Sequence, residues 1–216
     1  MAAPRIKFCG ITRLLDAQRA VEAGAWALGM ILWPGSARAA DPVEAERIAR
    51  LLRRQAEVAG VFVNQPLDEV AELADTIGLT MVQLHGDEGP AFCDEVHRRT
   101  GAKVIKAFRV ASGEDVQASE VFRNVDFHLL DAHHPELRGG TGSTFEWDLV
   151  HRRPSGVPLI LSGGLTPENV GAAIAAVRPF AVDVASGTEL APGVKDPRRI
   201  EAFAAAVRAT SEAHAV

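Results

Sequence analysis

The chain is poor in cysteine: it has two in 216 residues, Cys9 and Cys93. Two thiols make neither a disulfide framework nor a metal-ligand spacing, and free thiols suit a reducing compartment. It is also short of positive charge. Its 23 Lys and Arg stand against 28 Asp and Glu, a net charge of -5. No general positive field is available to hold nucleic acid or an anionic membrane surface, so neither is expected as a partner. An anionic ligand would have to be met by locally placed donors. No apolar run is long enough to span a bilayer. The opening MAAPRIKFCG lacks the apolar stretch of a secretory leader, and a cytoplasmic location is expected. The chain shows no linker, charge run, low-complexity segment, P-loop or dinucleotide fingerprint.

What the sequence does have is alternation. Short β-rich apolar runs fall at Arg5–Cys9, Ala27–Leu32, Glu57–Phe62, Met81–Leu84, Lys103–Ala107, Phe127–Asp131, Leu159–Leu161 and Ala181–Val184. Between them lie stretches whose apolar residues recur at i, i+3, i+4: Leu14–Ala23, Val43–Gln55, Leu67–Ile77, Pro90–Thr100, Glu114–Phe122, Pro167–Val177 and Pro197–Ala209. A further short helix is expected at Phe145–Val150. Asp41-Pro42, Thr166-Pro167 and Asp196-Pro197 read as N-caps followed by proline at N1. Gly24, Gly78 and Gly101 stand where helices stop. Eight β/α units with short connections imply a parallel sheet covered by helices. The count, and the glycine turns of the last two units, favour a single closed (β/α)8 TIM barrel over an open doubly wound sheet, with residues 1–216 as one domain.

Function in such a barrel sits at the C-terminal ends of the strands. In Ile6-Lys7-Phe8-Cys9 the parity of a strand puts Ile6 and Phe8 toward the helices and Lys7 and Cys9 inward. Taken alone, Cys9 reads as a small buried apolar side chain, the commoner fate of a free cysteine. At the inner end of a strand it is also a candidate base or nucleophile. Cys93, beside Phe92 and Val96, reads as core. Asp131 closes an apolar strand, where an acid is costly unless paired or used. It reads equally as a loop cap or as a general acid/base. Asp183, flanked by Val182 and Val184, points inward toward Lys7 if strands one and eight are neighbours. The pair would be structural, a substrate contact, or both. Arg38 in the loop after strand two is suited to grip a carboxylate, though alone it reads as a surface arginine. His85 either touches ligand or hydrogen-bonds within its loop. Gly139-Gly140-Thr141-Gly142 reads as a flexible loop. Gly163-Gly164 and Ser186-Gly187 end strands seven and eight, where backbone N–H groups can approach a phosphate. His133-His134 has no companion ligands at recognisable spacing, so no metal site is expected.

Together these motifs resemble one family. Lys7-Phe8-Cys9-Gly10-Ile11-Thr12, Gly60-Val61-Phe62-Val63-Asn64, Gln83-Leu84-His85-Gly86, Gly139-Gly140-Thr141-Gly142 with Phe145 and Trp147, Ser162-Gly163-Gly164-Leu165 and Gly193-Val194-Lys195-Asp196 follow the order seen in phosphoribosylanthranilate isomerases of tryptophan biosynthesis. The resemblance runs from strand one to the last helix. It implies an Amadori rearrangement of N-(5-phosphoribosyl)anthranilate to 1-(2-carboxyphenylamino)-1-deoxyribulose 5-phosphate. By the same resemblance Asp131 looks like the general acid and Cys9 like the general base. Arg38 would meet the anthranilate carboxylate, with Lys7, His85 and Asp183 around the substrate. Gly163, Gly164, Ser186 and Gly187 would hold its phosphate. No cofactor is implied, and the partner is a small phosphorylated molecule; a monomer or homodimer is expected. Two stretches depart from the family pattern. Ala37 replaces a proline before Arg38, which implies a less rigid loop, and Ala185 begins the turn after strand eight.

Two other readings stand beside this one. A pentulose-phosphate epimerase would hold a metal on inward His and Asp residues, a set not found here. A non-catalytic phosphate-binding barrel would be expected to lose Cys9 or Asp131 while keeping the glycine turns.

Overall fold

A computed structural model describes residues 3–131, 150, 153 and 155–212. The expected short helix at 145–150, the Gly139–Gly142 loop, and His133 and His134 lie outside the described residues, apart from Val150.

Strands β1 (Arg5–Cys9), β2 (Ala27–Ile31), β3 (Glu57–Phe62), β4 (Met81–Leu84), β5 (Lys103–Arg109), β6 (Phe127–Asp131), β7 (Leu159–Ser162) and β8 (Ala181–Val184) form a closed parallel barrel. β8 returns to β1, with Lys7 opposite Asp183. Around it lie α1 (Leu14–Glu22), α2 (Pro42–Leu52), α3 (Leu67–Ile77), α4 (Pro90–Thr100), α5 (Gly113–Ala118), α6 (Val170–Val177) and α7 (Pro197–Glu212). After β8 the chain makes a short antiparallel hairpin, β9 (Glu189–Ala191) and β10 (Val194–Lys195).

Local chemistry explains most of the boundaries. The Asp41 side chain accepts from Val43 N and Glu44 N, and Pro42 follows it, so α2 starts as a capped helix should. Gly78 and Gly101 end α3 and α4 in the left-handed conformation. Three expectations are corrected. α6 begins at Val170 rather than Pro167, because Asn169 closes a turn: its side chain accepts from Thr166 N and donates to the Gly164 carbonyl. The segment expected as one helix from Glu114 is a six-residue α5 followed by a 3-10 turn, Ser119–Val121. The β9–β10 hairpin was not expected at all.

The inside of the barrel changes character along its axis. At the N-terminal end it is filled by Ala27, Ala59, Met81, Ile105, Ala107, Phe127, Leu129, Ile160 and Ala181. Trp26 and Phe180 close this end, packed edge-to-face at 5.4 Å, with Arg5 over both rings. The same strands carry Ile6, Phe8, Val82, Leu130, Leu161 and Val182 outward into the sheet–helix core. Two residues beyond the inner apolar layer the inward positions turn polar: Gln83 after Met81, Asp131 after Leu129, Ser162 after Ile160, Asp183 after Ala181. The period of two that makes the core thus also delivers the functional groups to the C-terminal mouth.

Candidate active site

Lys7 is wholly buried and donates to Asp183 Oδ1 at 2.7 Å. Asp183 Oδ2 accepts from Ser162 Oγ at 3.1 Å. The expected pairing of Lys7 with Asp183 is therefore present. Burial alone would push the Lys7 ammonium down. Asp183 and the adjacent Cys9 outweigh it and hold the group above its ordinary pKa. A buried charge persists only with such a partner.

Cys9 ends β1 on the inner face and is buried. Burial pushes its thiol above the ordinary range; Lys7 and Lys195 pull the other way and Asp183 adds to the rise. The resting group is a thiol, ringed by charge. Cys93 packs into the sheet–helix core as expected, and burial pushes it up to about 11.

A cavity of about 320 Å³ opens at the mouth, lined by Arg38, Asp131, Ser162, Gly163, Gly164, Leu165, Asp183, Ala185 and Ser186. Most of the residues singled out in the sequence meet here. Gly163 and Gly164 both have positive φ, 103° and 61°, a conformation that side chains resist. Gly187 is bare because a Cβ there would run into the Leu165 carbonyl. It lines a neighbouring cavity with Ser186 and Arg199.

His85 stands at the edge of this group. Its Nε2 lies 4.0 Å from Asp131 Oδ2, and its Nδ1 is 3.0 Å from Gln83 Nε2. Burial holds the imidazole below its ordinary pKa, against the pull of Asp131 and Asp183, so it is neutral at pH 7. The Gln83 amide nitrogen can only donate, so Nδ1 accepts and the imidazole proton sits on Nε2. His85 also lines a second, larger cleft of about 540 Å³ with Lys106, Phe108 and Arg109.

Sequence reasoning missed several residues. Arg38 does reach the cavity, but its Nε lies 2.9 Å from both Glu189 oxygens. Lys195 is buried against Glu189 and the Ala185 carbonyl. Lys106 and Glu88 form a sealed ion pair at 2.8 Å, and Glu88 accepts from Asn64 N and Gly86 N. The pair fixes the loop that carries His85. The only signal for these groups was the placement of Lys195 within a recognised motif.

The family model for N-(5'phosphoribosyl)anthranilate (PRA) isomerase matches residues 6–206. The chain belongs to this isomerase family. Among its curated relatives, the N-(5'-phosphoribosyl)anthranilate isomerase of Citrifermentans bemidjiense is 48% identical over 91% of this chain and 93% of that one. The crystal structure of phosphoribosyl anthranilate isomerase from Thermotoga maritima superposes with a TM-score of 0.87 at 42% identity, covering 95% of this chain and 99% of that one. A second isomerase structure holds reduced 1-(o-carboxyphenylamino)-1-deoxyribulose 5-phosphate; it has a TM-score of 0.84 at 39% identity, over 95% and 99% of the two chains. The expected barrel and the expected isomerase family are both borne out.

Proposed function

We propose that this chain isomerises N-(5'-phosphoribosyl)anthranilate to 1-(2-carboxyphenylamino)-1-deoxyribulose 5-phosphate, the tryptophan-pathway reaction of its family, with Asp131 as acid and Cys9 as base. One observation carries the assignment of roles. Cys9 and Asp131, three strands apart round the barrel, both end their strands on the inner face, and Asp131 lines the cavity built on the Gly163-Gly164 turn.

The chemistry divides between them. Asp131 gives a proton to the ribose ring oxygen as the C1–O bond breaks, and the anilino nitrogen lone pair makes the C1=N bond of an iminium. The iminium acidifies the C2 hydrogen. The Cys9 thiol gives up its own proton to solvent, and the thiolate takes the C2 proton as the electron pair forms an enolamine. Tautomerisation gives the ketone, and Asp131 regains its proton from solvent. No atom is gained or lost, and the steps as written call on no metal or organic cofactor. Each proton transfer contributes about 10²–10⁴-fold. Arg38 meets the anthranilate carboxylate, as a guanidinium fork suits. Backbone N–H groups of the Gly163-Gly164 and Ser186-Gly187 turns meet the phosphate. His85, Lys7 and Asp183 order the space between.

No helix among the described residues is long and apolar enough to cross a membrane. A small phosphorylated molecule as partner, and work in the cytoplasm, complete the reading.

The test is fluorescence of freshly prepared phosphoribosylanthranilate, which loses its anthranilate signal on conversion. The wild-type protein should quench it with or without chelator. Cys9→Ala and Asp131→Ala should lose most turnover while inorganic phosphate still inhibits substrate binding. Near-normal rates in either variant remove that residue's role, and an inactive wild type removes the reading.

A further inference from the structure

Glu189 lies on β9 with its carboxylate buried, and donors converge on it from three residues. Arg38 Nε approaches both oxygens at 2.9 Å and Arg38 Nη2 approaches Oε2 at 2.8 Å. Lys195 Nζ and Gly193 N each lie 3.3 Å from Oε1. Burial would push this carboxyl up, but Arg38 and Lys195 hold it below its ordinary pKa, as an anion. Gly10, at φ 75°, leaves the space: a Cβ there would stand 3.0 Å from Arg38 Cδ and 3.1 Å from Glu189 Oε1.

We propose that Glu189 is a positioning residue that sets specificity: it clamps Arg38 by the Nε–Nη2 edge, so that the Nη1–Nη2 edge faces the cavity for a carboxylate on the substrate. The inference rests on the reading that Arg38 takes the anthranilate carboxylate. A guanidinium has two edges able to bind a carboxylate bidentately. Glu189 occupies the one built on Nε, and the other remains for ligand beside Gly163, Gly164 and Ser186. Arg38 needs such a hold. Its loop is tied by Arg38 N–H to Ser36 Oγ at 3.0 Å and by Ala40 N–H to the Ile31 carbonyl at 2.8 Å, but these backbone bonds do not aim the end of so long a side chain.

Lys195 explains why the clamp does not repel its ligand. Arg38 and Glu189 alone would be neutral, and an arriving carboxylate would meet the Glu189 charge at short range. With Lys195 sealed beneath, the three side chains net one positive charge. The hairpin is thus a device for aiming one arginine and keeping its field positive.

The experiment compares two probes by calorimetry: reduced 1-(o-carboxyphenylamino)-1-deoxyribulose 5-phosphate, and the same molecule lacking the ring carboxylate. The wild-type protein should favour the carboxylated probe by about 10- to 100-fold, the range of a hydrogen-bonded charge. Glu189→Gln should bring that preference down to a few-fold with the second probe's affinity unchanged, and should raise KM more than it lowers kcat. Glu189→Asp, which keeps the charge but withdraws it by one methylene, gives the same readout if the Gln variant does not fold. If the wild type does not discriminate, the reading of Arg38 is at fault. If Arg38→Ala abolishes discrimination and both Glu189 variants keep it, the positioning role is overturned. Equal weakening of both probes in a Glu189 variant overturns it too, since that is the mark of a merely structural contact.

Discussion

Cys9 faces Gly29 across the β1–β2 ladder, and its sulfur fills the space that any larger residue at position 29 would claim. A Cβ on Gly29 would stand 2.9 Å from Cys9 Sγ and 3.0 Å from Lys7 Nζ. The first is closer than real contacts run and the second is tight, so the sulfur would have to shift and the ammonium to give by a few tenths of an ångström. Gly29→Ala should therefore lower kcat by about 10²-fold, the cost of roughly 1 Å of misplacement at a reacting group. The overpacking should cost only about 1–3 kcal/mol of stability. Steady-state kinetics and thermal melting on the same preparation check both figures.

Cys9 itself should titrate late. Burial disfavours the thiolate, and the charges of Lys7 and Lys195 do not fully compensate. The ultraviolet thiolate band of the wild type, less that of Cys9→Ala, isolates this one sulfur from Cys93. Its midpoint should lie above the ordinary cysteine value of about 8.5. A midpoint at or below that value would mean that the two ammonium groups win over desolvation.

The turn after β8 gives a separable prediction. A side chain at Gly187 would collide with the backbone of Leu165, which neither atom can relieve by rotation. Gly187→Ala should weaken inhibition by inorganic phosphate about 10- to 100-fold, the range for a lost hydrogen bond to a charged group. Gly89→Ala, where nothing lies within 4 Å, should leave both inhibition and turnover unchanged. Equal phosphate affinity in all three proteins would place the phosphate elsewhere.

How much of this was legible in the sequence follows from the length over which a pattern repeats. β1 has five residues, enough for parity to send Lys7 and Cys9 inward, and closure of the barrel then brings Asp183 to Lys7. The β9–β10 hairpin has strands of three and two residues. Such runs are too short to show alternation, so neither strand is legible, and Lys195 stands out only within the Gly193-Val194-Lys195-Asp196 motif. Arg38 read as a free surface arginine because its partner is 151 positions away in that same hairpin. Lys106 was hidden differently. It points outward from β5, where a lysine ordinarily reaches solvent, but the loop after β4 folds Glu88 over it. The start of α6 was misplaced because Thr166-Pro167 is a good cap in isolation, and only the reach of Asn169 back to Gly164 shows that a turn intervenes.

The last prediction concerns stability at acid pH, and it rests on His128. This side chain is buried on the outer face of β6. Its Nε2 lies 2.8 Å from the Phe122 carbonyl and its Nδ1 lies 2.5 Å from Arg153 Nη1. An arginine can only donate, so Nδ1 accepts and Nε2–H donates to the carbonyl. Both ring nitrogens are satisfied in the neutral form. Burial pushes the pKa down to about 4 from an ordinary 6.5, helped by the Arg153 charge and opposed by the Phe122 carbonyl. The unfolded chain accepts a proton as pH falls below 6.5, and the folded chain refuses it until about 4. The contribution of His128 is thus fully present above pH 6.5 and is lost as pH falls through that window, at no more than about 1.4 kcal/mol per pH unit. His128→Gln keeps a donor and an acceptor but cannot titrate. Urea unfolding at pH 7, 6, 5 and 4 should show a shallower loss of stability in the variant than in the wild type. Parallel slopes would mean that His128 takes its proton in the folded barrel as readily as in the open chain.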